Sequence, residues 1–288
     1  EFLLPFLCQA NWTHRRYPGQ QTGSFSQKSW EPCSSGSGQW AESRRRIGTQ
    51  TENLMDTKEA IILAGGLGTR LRSAVPDMPK CMAPVAGNPF LHYVITYFQK
   101  QGISKFIFSL GHKHEIIKQW LDQALSPADY DLSIEKEPLG TGGAIKLACR
   151  MLTGDPALII NGDTLFKINV NQLSAFHSTH QADCTLCLKP MSDFDRYGAV
   201  ELDSNDSITR FYEKRFLKTG LINGGVYALN VANFLKKDLP EIFSFEQGYL
   251  EKLHWPDKLF GLVQDEYFID IGVPEDYERA QSEMKNER

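Results

Sequence analysis

This 288-residue chain has no apolar run near the ~20 residues that a membrane-crossing helix needs. Its apolar early stretch, Phe2–Cys8, is broken by Pro5 and follows Glu1, so it lacks the basic start of a signal peptide. Cysteine is sparse. The six are spaced irregularly, which argues against a disulfide framework and fits a reducing cytoplasm. Cys184 and Cys187 form a C-x-x-C, but they lie in a strand-like alternation, where residues three apart face opposite sides. No second C-x-x-C completes a zinc site. The pairs His112/His114 and His177/His180 have no nearby carboxylate or cysteine pattern and read as surface or helix-face residues. Net positive charge is also missing. At −4, the chain is not a general nucleic-acid binder, and an anionic substrate must meet local positive charge instead. Neither a Ser-His-Asp nor a Cys-His arrangement is evident.

What is present divides at about residue 54. Residues 1–54 are rich in Gly, Ser, Gln, Pro and Arg and show no periodicity; they hold six Lys/Arg against four Glu. Three of the five tryptophans sit there without a core around them. We expect 1–54 to be a disordered or upstream extension, with the native protein starting at Met55, and 55–288 to be the folded domain. The 41 % hydrophobic content allows a sizeable core.

From Lys58 the pattern is regular. EAIILA, KFIFSLG, DLSIEKE and ALIINGD read as strands. NPFLHYVITYFQKQG, EIIKQWLDQAL and TGGAIKLACRML read as the helices between them; Asn88 is the expected N-cap of the first, Pro89 its first position and Gly102 its terminator. This alternation predicts an α/β fold with a mainly parallel sheet covered on both faces. After Asp183 the texture changes to hairpins: 197–214 reads as two strands joined at Ser204–Asp206, followed by GGVYAL and LFGLVQDEYFIDIG, with PEDYERAQSEM as a closing helix.

The densest signal is ILAGGLGTRLRSAVPDMPK at Ile62–Lys80, directly after the first strand. Open parallel sheets bind ligands at the carboxyl ends of their strands, and successive glycines let backbone N–H groups converge on phosphate oxygens. A dinucleotide loop would need a third glycine where Leu71 stands, and no Gly-Lys-Ser/Thr follows for a Walker loop. A plain turn accounts for the glycines but not for Arg70 and Lys80 together.

LAGGLGTRL…PK resembles the signature of the sugar-phosphate nucleotidyltransferases, or NDP-sugar pyrophosphorylases. EKEPLGTGGAIK, NGDT, FDRYGAV, EKRFLKTGLINGGVY and YFIDIGVPEDY follow in that family's order, so the resemblance covers about residues 58–280. The combination most resembles the D-glycero-D-manno-heptose 1-phosphate guanylyltransferases. One departure is Cys81, where the family usually reads Pro-Lys-Pro. The resemblance implies a Rossmann-like, GT-A-like fold, an NTP with GTP favoured, a sugar 1-phosphate and Mg²⁺. It also implies a cytoplasmic enzyme that makes GDP-heptose for lipopolysaccharide or S-layer glycan.

In that chemistry a sugar 1-phosphate oxygen attacks the α-phosphorus of the NTP, and pyrophosphate leaves. Both reactants are anions, so the site must neutralise charge and align them; no general base is needed. Ala64, Gly65, Gly66, Gly68 and Thr69 are expected around the triphosphate. The resemblance puts Arg70 at the leaving group and Lys80 near the α-phosphate. Asp163 and Asp270, each read as ending a strand, match Mg²⁺, which takes one or two carboxylates plus phosphate oxygens and waters. The nucleobase is expected near Glu135, Gly140 and Thr141. A carboxylate at Glu135 could accept from both guanine N1–H and N2–H. The resemblance also puts Glu213 and Asn223 on sugar hydroxyls, Lys214 on the sugar phosphate, and Tyr197, Gly198 and Gly224 at the sugar ring.

Mannose 1-phosphate guanylyltransferase and N-acetylmuramate 1-phosphate uridylyltransferase remain as rival activities, and a regulatory paralogue without turnover as a rival class. An adaptor acting through the basic tail is a third. No nucleic-acid or membrane partner is expected, and a homo-oligomer is left open.

Overall fold

Both faces of the first strand are covered, which is why its sequence is apolar without alternation. In the computed structural model, which describes residues 58–66, 78–212, 214–252 and 258–286, β1 (Glu59–Leu63) lies between two parallel neighbours, β4 (Lys105–Leu110) and β6 (Ala157–Asn161). Ala60 and Ile62 enter one core with Phe90, Phe98, Phe106 and Phe108, while Ile61 enters the other with Ile107, Ile145, Ile159 and Tyr227. β5 (Tyr130–Ile134) extends the parallel set beyond β4.

The expected helices cover this set: α1 (Phe90–Lys100), α2 (His114–Ala124) and α3 (Gly140–Ala148). Gly102 ends α1 as anticipated. It adopts φ +96°, its N–H donates to Gln99 O at 3.0 Å, and Ile103 N–H donates to Phe98 O at 3.1 Å. Asn88 is not the N-cap. With Pro89 it forms a short strand, β3 (Asn88–Pro89), paired with β2 (Pro84–Val85), and the helix starts one residue later, at Phe90. DLSIEKE stops pairing at Ile134 and ALIINGD at Asn161, so Glu135 and Asp163 stand on the turns beyond their strands.

The second half is antiparallel. β8 (Cys184–Phe194) pairs with the long β11 (Leu217–Leu229), whose other edge meets β9 (Ala199–Leu202) and then β6. β10 (Ile208–Tyr212) borders β9 across the expected turn, and β12 (Leu259–Val263) runs parallel to β8. The sheet is therefore mixed, with a parallel block and an antiparallel block meeting at β6 and β11. A separate two-stranded ladder joins β7 (Thr164–Phe166) to β13 (Phe268–Asp270).

Among the described residues, four further α-helices follow. α4 (Val170–His180), absent from the pattern reading, is capped by Asn169, whose side chain accepts from Gln172 N–H at 3.0 Å. α5 (Val231–Lys236), the short α6 (Phe245–Gly248) and α7 (Pro274–Glu283) follow.

His177 of α4 is buried and bonds Thr185 at 2.9 Å, while His180 stacks on Phe176. Cys184 and Cys187 lie in opposite cores, as their spacing requires, and all four described cysteines are buried and free. Among the described residues, no helix is long and apolar enough to cross a membrane. The expectation of a native start at Met55 falls on residues outside those described.

Candidate active site

The parallel strands end on a cavity of about 980 Å³ that continues across β11 into the antiparallel block. Every described residue singled out from the sequence lines it: Ala64, Gly65, Gly66, Lys80, Glu135, Gly140, Thr141, Asp163, Tyr197, Gly198, Lys214, Asn223, Gly224 and Asp270. Gly68, Thr69, Arg70 and Glu213 lie outside the described residues.

Asp163 and Asp270 are 107 positions apart, and a specific ladder brings them together. Asp163 immediately precedes β7, Asp270 ends β13, and Asp270 is the register partner of Thr164. Ile271 N–H donates to Asp163 O at 3.2 Å, and Gly272 N–H donates to Asp270 Oδ1 at 2.8 Å. Lys80, from the short 3₁₀ turn Lys80–Met82, reaches both carboxylates: its Nζ is 2.6 Å from Asp163 Oδ2 and 3.0 Å from Asp270 Oδ1. Burial disfavours the Lys80 ammonium, but the two carboxylates outweigh it and raise its pKa. Asp270 is pushed upward, first by burial and then by the charge of Asp163, against the pull of Lys80. Cys81 stays a thiol: burial and the Asp163 charge push it up to about 12.

At the end of the cavity next to β1, Gly65 and Gly66 differ. A Cβ on Gly65 would stand 3.0 Å from Gly111 N and 3.1 Å from Glu135 Oε1, whereas one on Gly66 would meet nothing within 4 Å. A Cβ at the first glycine would press on Gly111 and Glu135; the second leaves open space at the cavity. Glu135 is half-buried, and burial raises its pKa against the opposing bond from Leu139 N–H. That bond, 2.8 Å to Oε2, already engages one of the two oxygens expected to meet guanine. The bond fixes the carboxylate while leaving acceptor capacity on both oxygens.

Gly140 and Thr141 serve a role the sequence reading missed. Gly140 adopts φ +70°, and a Cβ there would lie 2.5 Å from Phe243 O. A Cβ on Gly143 would lie 2.2 Å from Glu241 O. Gly142 N–H donates to Phe243 O at 2.9 Å, and Phe243 N–H to Leu139 O at 3.0 Å. Thr141 Oγ1 accepts from Phe245 N–H at 2.8 Å and donates to Glu246 Oε2 at 3.0 Å. The G-T-G-G run thus seats residues 241–246 on the start of α3, and this contact by itself calls for a glycine at position 140. Three glycines in four positions signalled a close backbone approach; the partner was invisible because it lies a hundred residues away.

At the other end, β11 loses register with β8 between Asn223 and Tyr227. This irregularity turns Asn223 toward the cavity, where its Nδ2 donates to Tyr227 Oη at 2.9 Å and its Oδ1 accepts from Gly225 N–H at 3.1 Å. Gly224 is packed against Phe166, whose ring would stand 2.4 Å from a Cβ. Lys214 is exposed at the rim. Arg196, adjacent to Tyr197, also lines the cavity and was not singled out.

The family described as nucleotidyl transferase matches residues 59–287. The chain belongs to that family. It is 49 % identical over 228 residues to a D-glycero-α-D-manno-heptose 1-phosphate guanylyltransferase of Aneurinibacillus thermoaerophilus, covering 79 % of this chain and 99 % of that one. It is 46 % identical over 219 residues to the protein of the same name from Campylobacter jejuni, covering 76 % and 96 %. The crystal structure of HddC from Yersinia pseudotuberculosis complexed with GMP-PN aligns with a TM-score of 0.72 at 36 % identity, covering 79 % of this nucleotidyltransferase and 100 % of HddC.

Proposed function

We propose that this chain transfers GMP from GTP to D-glycero-D-manno-heptose 1-phosphate, releasing pyrophosphate and forming GDP-heptose. The observation that carries the reading is the convergence of Lys80, Asp163 and Asp270 in one cavity whose lining also includes Gly65, Gly66 and Asn223. Relatives named for this activity match along nearly their whole length, which supports the choice of base and sugar.

The sugar 1-phosphate oxygen would form a bond to the α-phosphorus while the bond to the pyrophosphate oxygen breaks. The nucleophile is already ionised near neutral pH, so the chain's task is charge neutralisation and in-line alignment. Lys80 would serve the α-phosphate, and Arg70, by resemblance, the departing pyrophosphate. Lys214 would take the sugar phosphate, Glu135 the base edge, and Glu213, Asn223 and the Tyr197–Gly198 turn the sugar.

Two carboxylates already sharing a cationic Nζ form a hard oxygen donor set that fits Mg²⁺, with the remaining positions left to phosphate and water. Asp163 and Asp270 would hold this ion, which when bound neutralises phosphate charge as a Lewis acid. A regulatory protein without turnover has no need of this trio.

The test is pyrophosphate release by the full chain with Mg²⁺, using GTP, ATP, UTP, CTP or dTTP against heptose 1-phosphate and mannose 1-phosphate. GTP with the heptose phosphate is expected to be fastest, and EDTA to abolish release. No release with GTP and either sugar from folded protein would overturn the reading.

A further inference from the structure

We propose that Arg196 is a positioning residue for sugar-phosphate binding: through Tyr197 and Asp276 it ties the sugar wall of the cavity to the wall that carries Asp270. The inference rests on the transfer reaction proposed above. Arg196 Nη2 donates to Asp276 Oδ2, and its guanidinium lies 5.4 Å from the centroid of the Tyr197 ring. The Tyr197 ring meets Phe268 edge-on at 5.6 Å, and Phe268 opens the strand that ends at Asp270. Asp276 lies in the first turn of α7, which begins directly after Ile271–Val273. The contacts close a ring from Arg196 through Tyr197, Phe268 and Asp270, along the chain to Asp276, and back.

An arginine suits this place because one planar group can hydrogen-bond a carboxylate and lie over an aromatic ring. The Asp276 side chain is only 13 % exposed, so the pair is better shielded than a surface ion pair. Arg279 also approaches Asp276, at 3.5 Å, but both belong to α7, so that pair stays within one wall. The sugar ring must rest on Tyr197 and Gly198 while its phosphate faces the Lys80–Asp270 centre. A slack seam between those walls would spoil alignment without touching the nucleotide end.

The experiment compares full-length wild type with Arg196→Gln, Asp276→Asn, the double variant and Arg196→Lys. It measures pyrophosphate release against each substrate in turn, and thermal stability alongside. Arg196→Gln and Asp276→Asn should each raise the KM for sugar 1-phosphate about tenfold and change the KM for GTP less than about twofold. The double variant should be no worse than either single, because both break one link. Arg196→Lys, which keeps the charge but loses the stacking plane, should fall between. A normal Asp276→Asn beside an impaired Arg196→Gln would overturn the inference, since the guanidinium would then act on substrate directly. Equal rises in both KM values, tracking lost stability, would overturn it as well. If Arg196→Gln does not fold, Asp276→Asn, nearly isosteric with wild type, carries the same test. A wild type without pyrophosphate release would strike the transferase reading; a working wild type with unchanged variants would strike only the role of Arg196.

Discussion

In the parallel block, strand ends deliver the site: Gly65–Gly66 follow β1, Glu135 follows β5 and Asp163 follows β6. In the antiparallel block no such row of ends exists, and the cavity is reached instead by an irregularity within β11 and by the turn between β8 and β9. The first arrangement holds its groups by backbone topology. The second holds them by side-chain braces, such as Asn223 on Tyr227 and Arg196 on Asp276. Single substitutions should therefore act differently on the two sides.

The largest effect is expected at the seam. Asp163→Ala and Asp270→Ala should each lower kcat about a thousandfold or more, through loss of the Mg²⁺ they are proposed to hold. Turnover within tenfold of wild type in both would detach the carboxylates from the chemistry.

On the nucleotide side, damage should appear first as lost stability. Gly140→Ala puts a Cβ against Phe243 O at a residue with positive φ, and should cost about 3 kcal/mol in urea unfolding. A loss below about 1 kcal/mol would mean that the 241–246 segment yields easily.

His177 tests the antiparallel side by pH. Burial lowers its pKa from 6.5 to about 4, against the opposing charges of Asp155 and Asp183. Below pH 6.5 the unfolded chain takes up this proton and the folded chain does not, so stability falls as pH drops toward 4. The total should be about 3 kcal/mol. Unfolding midpoints at pH 7, 5.5 and 4.5, compared with those of His177→Gln, isolate the contribution; parallel curves would refute it.

The smallest effect, and the most selective, belongs to Asn223→Ala. Its KM for sugar 1-phosphate should rise about tenfold while that for GTP stays put. A matching rise for GTP would erase the division between the halves.

The same contrast explains what the sequence revealed. Apolar runs and helix stops such as Gly102 are local, so the parallel block and its strand-end residues could be read directly. The motif residues of the antiparallel block were reached through family resemblance, because Asn223 sits where the ladder breaks period, and periodicity carries no sign of such a break. Glu135 lines the cavity, but its bond to Leu139 N–H could not be foreseen from residue types. Arg196 and the 241–246 segment were passed over because their meaning depends on partners about 80 and 100 positions away.

The division of labour itself can be measured by hydrogen exchange, with a non-hydrolysable GTP analogue alone and with heptose 1-phosphate alone. The account predicts that the nucleotide slows exchange in peptides spanning Gly65–Gly66 and Glu135–Thr141. It predicts that the sugar phosphate slows exchange at Tyr197–Ala199 and Asn223–Val226. Protection of the same segments by both ligands, or of the β11 irregularity by the nucleotide alone, would contradict it.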